Sequence, residues 1–159
     1  VGRFKHTATL LGAAAAALTL SSCNMMADVT TMQPYAPSDG VRVDVGNGVV
    51  VENLLFVTGP EGGEAAVHGL VRNDSLEPMT VTISLTEGGD FEFSHDLEPG
   101  TSYNFSVEED LVATIDAVPG ESIPARVEAD GAIGDVKATI VSTEAAGYEE
   151  AGPGSGSED

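Results

Sequence analysis

The pattern that most restricts this chain lies between Val41 and Val141, where apolar residues recur in short runs and do not hold the spacing of a helix face. In Val41-Val43-Val45, Val81-Ile83-Leu85 and Val136-Ala138-Ile140 every second side chain falls on one side of an extended backbone, so these positions are expected to face a common core. Gly, Pro, Asn and Asp punctuate the runs. Gly46-Asn47-Gly48 reads as a hairpin turn because Asn and Gly accept positive φ, and Glu87-Gly88-Gly89-Asp90 and Pro99-Gly100 read the same way. The candidate strands are 41–45, 49–57, 65–73, 80–85, 90–96, 102–107, 111–115, 123–129 and 135–141. This pattern predicts an all-β fold, an immunoglobulin-like antiparallel β-sandwich of about seven to nine strands.

A length of 159 residues suffices for one such core with appendages. The sandwich is expected over 41–144. Ahead of it, 23–40 reads as a flexible tether in which Pro34, Pro37, Ser38, Asp39 and Gly40 interrupt any period. Behind it, 145–159 mixes Gly147, Gly152, Pro153, Gly154, Ser155, Gly156 and Ser157 with Glu and Asp, the composition of a disordered acidic tail.

The first 22 residues have the layout of a secretory signal: Arg3, Lys5 and His6, then an apolar run from Ala8 through Leu20, then small residues. That run is too short to span about 30 Å of hydrocarbon as a stable helix, so it reads as a leader. Leu20-Ser21-Ser22-Cys23 resembles the lipobox of bacterial lipoproteins. The resemblance implies cleavage before Cys23, a diacylglyceryl thioether on that residue as the only attached group, and anchoring on the outer face of the bacterial cytoplasmic membrane.

Charge narrows the partners. The chain carries 6 Lys and Arg against 26 Asp and Glu, and loss of Arg3 and Lys5 with the leader leaves 4 against 26, a formal charge of −22. A surface of that sign repels phosphate backbones and anionic headgroups, which disfavours nucleic acid and leaves the lipid as the means of membrane attachment. The single cysteine excludes an intramolecular disulfide, and the absence of Trp disfavours a stacking platform for glycans.

Further along, Pro34-Tyr35-Ala36-Pro37-Ser38-Asp39-Gly40, Gly46, Val51-Glu52-Asn53-Leu54-Leu55, Gly69-Leu70-Val71-Arg72-Asn73, Glu77-Pro78 and Pro119-Gly120-Glu121-Ser122-Ile123-Pro124 resemble a group of actinobacterial cell-envelope lipoproteins. That group is distantly similar to periplasmic copper chaperones, which implies a cupredoxin-like form of the sandwich and raises Cu(I) as a ligand. His68 and Met79 have ten residues between them, a spacing like the first half of the chaperone motif. Soft thioether and imidazole donors suit Cu(I). The late His-x-Met pair of that motif is missing, since His95 is followed by Asp96 and Leu97 and no Met follows Met79. The family's ligand set is therefore not carried over. No metal is expected, and His68, Met79 and His95 stand as minority copper candidates.

Other chemistry has weaker support. Glu108-Glu109-Asp110, and Glu128-Ala129-Asp130-Gly131 with Asp135, gather hard oxygen donors near turns, but not at EF-hand spacing. There is no Gly-x-Ser-x-Gly elbow and no His-Glu-x-x-His. His95 and Asp96 are strand neighbours that point to opposite faces, so they make no catalytic dyad. Asn73-Asp74-Ser75 and Asn104-Phe105-Ser106 match a glycosylation acceptor pattern but read as turn and strand polarity. The expectation is a non-catalytic envelope module that binds another envelope protein or a basic ligand. Copper handling comes next, and an enzyme with a carboxylate-based site last.

Overall fold

The computed structural model describes residues 39–107 and 111–154. The leader at 1–22, the lipobox residues Leu20, Ser21 and Ser22, Cys23, and the tether up to Ser38 lie outside the described residues, as do Glu108, Glu109 and Asp110. So do residues 155–159.

Ten strands follow one another: β1 (Val41–Asp44), β2 (Val49–Thr58), β3 (Gly63–Asn73), β4 (Met79–Leu85), β5 (Gly89–Asp90), β6 (Glu92–Leu97), β7 (Ser102–Asn104), β8 (Val112–Ile115), β9 (Ser122–Ala129) and β10 (Ala132–Ser142). No helix occurs among the described residues. The expected all-β fold is thus observed, with one more strand than the sequence suggests. The run at 90–96 splits at Phe91, because β5 pairs with β8 whereas β6 pairs with β4. Here the chain turns a corner from one half of the sheet to the other, and the Phe91 carbonyl accepts the Leu85 amide at 3.0 Å.

Hydrogen bonding orders the strands β5-β8-β3-β2-β10-β9-β4-β6, with β1 added to β2 and β7 to β3. One junction departs from the antiparallel expectation. β10 runs parallel to β2, with Leu55 opposite Thr139 and Val57 opposite Val141. Turn chemistry informs only strands that are neighbours in sequence, and β2 and β10 are far apart along the chain. The sheet curls so that its two halves share a core, which is why Phe93 of β6 lies 5.7 Å from Tyr103 of β7 and 6.0 Å from Phe105, centroid to centroid. The result is a nearly closed, barrel-like sandwich.

β2 occupies the middle of this sheet. Along it the inward set changes parity, from Val49 and Val51 to Leu54 and Phe56, across a bulge at which Asn53 takes φ 56°. Past the bulge Leu55 and Val57 point away from the main core, yet they are 1% and 0% exposed. The C-terminal segment covers them. The part of the expected disordered tail from Ala145 to Ala151 is instead packed on this face, with Tyr148 buried beside Leu55 and Val57. Its Gly-rich composition conceals one aromatic side chain whose apolar body has a place to go.

Asn73, at the end of β3, ties the loops at that end together. It is fully buried, and its Nδ2 donates to the carbonyls of Glu77 at 2.8 Å, Leu97 at 3.2 Å and Glu98 at 3.4 Å. Its Oδ1 accepts the Ser75 amide at 2.9 Å. The acceptor-like pattern at 73–75 is therefore structural polarity, as expected. Replacing Asn73 with Ala strands buried carbonyls, and urea unfolding should show a loss of about 2–3 kcal/mol with an unchanged m-value. Asn73→Asp should lose at least as much, since a carboxylate cannot donate to those carbonyls; a variant within ~0.5 kcal/mol of the parent would deny Asn73 this role.

Candidate functional site

The antiparallel register of β4 and β6 places Met79 opposite Leu97, Val81 opposite His95 and Ile83 opposite Phe93. Paired residues share a face, and Val81, Ile83, Phe93 and Leu97 are all core, so Met79 and His95 also belong to the inner face. Both are only half-buried. They occupy diagonal positions, a relation that separates residues by about 7–8 Å, with Cβ atoms somewhat closer, and lets long side chains meet.

Each of the two is held by a neighbour. The Asn47 side-chain amide donates to the Ala129 carbonyl at 2.7 Å and approaches the Met79 Sδ at 3.6 Å, so the hairpin turn before β2 reaches the start of β4. The His95 ring lies 3.9 Å from that of Tyr103, tilted by 32°, and is parallel to Phe93 at 6.0 Å. Behind them, Gly69 permits the close approach of Phe105: at φ 152°, a Cβ there would lie 2.6 Å from Phe105 Cζ. Phe93, His95, Tyr103 and Phe105 thus form one aromatic cluster joining β6 to β7 and the loop after it. Beside Met79 is a shallow pocket of about 310 Å³, lined also by Pro78, Thr80, Asp96, Glu98 and Asp130.

His68 is elsewhere. It pairs with Leu55 on the outer face of the sheet, and its Nε2 meets the Ala151 carbonyl at 2.7 Å. The ten-residue spacing from His68 to Met79 therefore joins two residues on opposite faces of the sheet. The structure brings Met79 and His95 into one neighbourhood and leaves His68 out. His95 and Asp96 diverge as expected, Asp96 accepting the Thr80 hydroxyl at 2.6 Å.

The hard-donor alternative loses a member. Asp135 is engaged by Arg126 at 2.7 and 3.2 Å, and that hydrogen bond holds its carboxyl below the ordinary value. Arg42 and Arg72 likewise pair with Glu52, and Arg72 also with Asp74. Among the described residues no group of three or more His, Cys, Asp or Glu is placed to hold a metal ion.

Sequence reasoning missed Asn47 and Tyr103 as neighbours of the candidate pair. Asn47 was legible only as a turn residue, and Tyr103 as a strand residue in a run of its own. Their meeting depends on how the sheet curls.

No family model matches the chain, and no curated protein matches it. Solved structures of similar fold include PCuAC domains. The apo PCuAC domain from PmoF1 shares 16% identity over 64% of this chain and 98% of that one, with a TM-score of 0.50. The apo PmoF2 PCuAC domain shares 15% identity, covering 66% of this chain and 98% of that one, at 0.49. The copper-bound PCuAC domain from PmoF2 shares 18% identity, covering 64% and 97%, at 0.45. At these identities the likeness is one of fold, and it agrees with a cupredoxin-like sandwich.

The ring stack at His95 is directly observable. In proton NMR the His95 ring resonances should carry an upfield ring-current shift that Tyr103→Leu reduces, while those of His68 stay in place. Unmoved His95 resonances would show that the stack does not form.

Proposed function

We propose that the chain is a non-catalytic, lipid-anchored module of the bacterial cell envelope whose sandwich carries Cu(I), with Met79 and His95 as the residues that take it. The observation behind this reading is the shared inner face of Met79 and His95, a thioether and an imidazole at adjacent diagonal positions of β4 and β6. These are the soft donor types that favour Cu(I), and a half-buried rim lets an ion come and go. The fold likeness to the apo PCuAC domain from PmoF1 is compatible with this reading. Copper here is cargo, and His68 has no part in holding it.

The anchor in this reading is Cys23, supported by the match of Leu20-Ser21-Ser22-Cys23 to the lipobox. The resemblance to actinobacterial envelope lipoproteins supports the same address. Metabolic labelling with a tagged fatty acid should mark the chain and recover it with membranes, and Cys23→Ser should abolish both. Labelling that survives the change would remove the anchor from the proposal.

A second reading is docking on another envelope protein, favoured by the formal charge of −22 left after processing. Titration of residues 24–159 against a chromogenic Cu(I) chelator separates the two. Met25, Met26 and Met32 are replaced by Leu to remove the tether thioethers. Copper handling predicts one tightly held equivalent, weakened at least ~10-fold by Met79→Ala or His95→Ala and unaffected by His68→Ala. No competition with the chelator would retire copper and leave the protein partner, to be sought by crosslinking in cells.

A further inference from the structure

The outer face of β2 requires a cover, and the cover reaches both ends of the domain. As the chain leaves β10, Thr143 donates its amide to the Thr58 carbonyl at 2.9 Å. Three successive turns then carry it across the sheet, with Ala145 bonded to Ser142, Tyr148 to Ala145 and Ala151 to Tyr148, each at 3.0 Å. Tyr148 is only 8% exposed and sits on Leu55 and Val57, with Val141, Ala145 and Ala151 around it. Beyond it, the Ala151 carbonyl is fastened to His68 Nε2 at 2.7 Å, so that nitrogen is the donor.

The remaining contact points the other way along the chain. The Tyr148 hydroxyl donates to Asp39 Oδ2 at 3.0 Å, and the adjoining Gly40 amide donates to Asn53 Oδ1 at 3.0 Å. Gly40 lies against the bulge so closely that a Cβ there would fall 2.4 Å from the Asn53 carbonyl carbon. The bulge residue of β2, the residues before β1 and the C-terminal segment therefore meet at one place. Burial and the Asp39 carboxylate both push the Tyr148 hydroxyl above its ordinary pKa, as fits a neutral donor to an anion.

We propose that Thr143–Gly154 is a clasp that locks the point at which the N-terminal segment joins the sandwich, so that releasing the C-terminal segment also releases that junction. The two ends of the domain are coupled through Tyr148. A ligand or protease that draws the C-terminal segment off the sheet would uncover Leu55 and Val57 and release Asp39 and Gly40 in one event. His68 serves this device as the fastener of Ala151, which gives it a role independent of any copper bound at Met79 and His95.

Hydrogen exchange on the full mature chain tests the coupling, comparing Tyr148→Phe, Tyr148→Ala, His68→Ala and His68→Gln with the parent. Tyr148→Ala should speed exchange of the 143–151 amides and of Gly40 and Val41 by at least ~10-fold, leaving Ala125 and Val127 in β9 as they were. Tyr148→Phe keeps the packing and loses the Asp39 bond, so Gly40 and Val41 should accelerate more than 143–151 do. His68→Ala should loosen 143–151, and His68→Gln, which retains a donor, should restore much of the protection. Gly40 and Val41 exchanging at the parental rate in every variant would overturn the coupling. If Tyr148→Ala also loosens β9, the Tyr148→Phe result decides by the same criterion. Chelator titration of these variants reads copper separately, so neither proposal stands or falls with the other.

Discussion

A strand buried on both faces cannot exist alone, and β2 imposes that condition on everything around it. From Leu54 to Thr58 every residue is buried, alternately toward the main core and toward the C-terminal segment. Its backbone is shared out as well: β3 takes one edge along most of its length, while β1 pairs with it from Val50 to Leu54 and β10 takes over from Leu55. Every donor and acceptor of a strand so deeply placed must find a partner within the sheet. The inner face is satisfied by curling the sheet until β6 faces β7. The outer face is satisfied by laying the chain's own last segment over it. Curl and cover are therefore two answers to one burial requirement.

Much of this was legible, and the failures have physical causes. Alternation located most strand ends to within a residue or two, missing by three at the end of β7 and the start of β10, because a period of two on a half-buried sheet reports directly on which side is wet. It failed at the bulge, where Asn53 inserts an extra residue and shifts the inward set from odd to even positions. The unbroken apolar stretch Leu54-Leu55-Phe56-Val57 was the available sign that alternation does not govern this strand and that both its faces are covered. Phe91 hid the corner between β5 and β6, since a strand that changes partners keeps an extended pattern. In the tail, Gly and acidic residues outweighed Tyr148, although a single buried aromatic with a hydrogen bond at its polar tip suffices to fix a short segment.

The candidate site teaches the same lesson about distance along the chain. His68 and Met79 look paired when residues are counted and are separated when faces are considered, because β3 presents position 68 outward and β4 presents position 79 inward. Met79 and His95 have nothing in their spacing to suggest a relation. Register creates it, through the antiparallel pairing of β4 with β6. A fold shared at 16% identity does not carry a ligand set with it. Whatever the sandwich holds has to be read from the residues that this chain's own register brings to the rim.

Electrostatics bears on how such a rim would be used. The three arginines of the described residues are already engaged with carboxylates: Arg42 and Arg72 with Glu52, Arg72 also with Asp74, and Arg126 with Asp135. These pairs are exposed and contribute little to stability, but they hide positive charge from an approaching partner. Lys137 apart, the charge that remains outward is acidic, and Asp96, Glu98 and Asp130 line the pocket beside Met79. A field of that sign draws in a small cation and a basic protein surface alike, over distances of about a Debye length, while it repels an anionic membrane. Carboxylates are too hard to hold Cu(I) themselves, so in the proposed copper reading attraction and retention would fall to different residues: the acidic rim would raise the local cation concentration, and the thioether and imidazole would select among the cations that arrive. Under the proposed anchoring, a field of that sign would turn the rim away from an anionic bilayer and leave attachment to a covalent lipid rather than to surface charge.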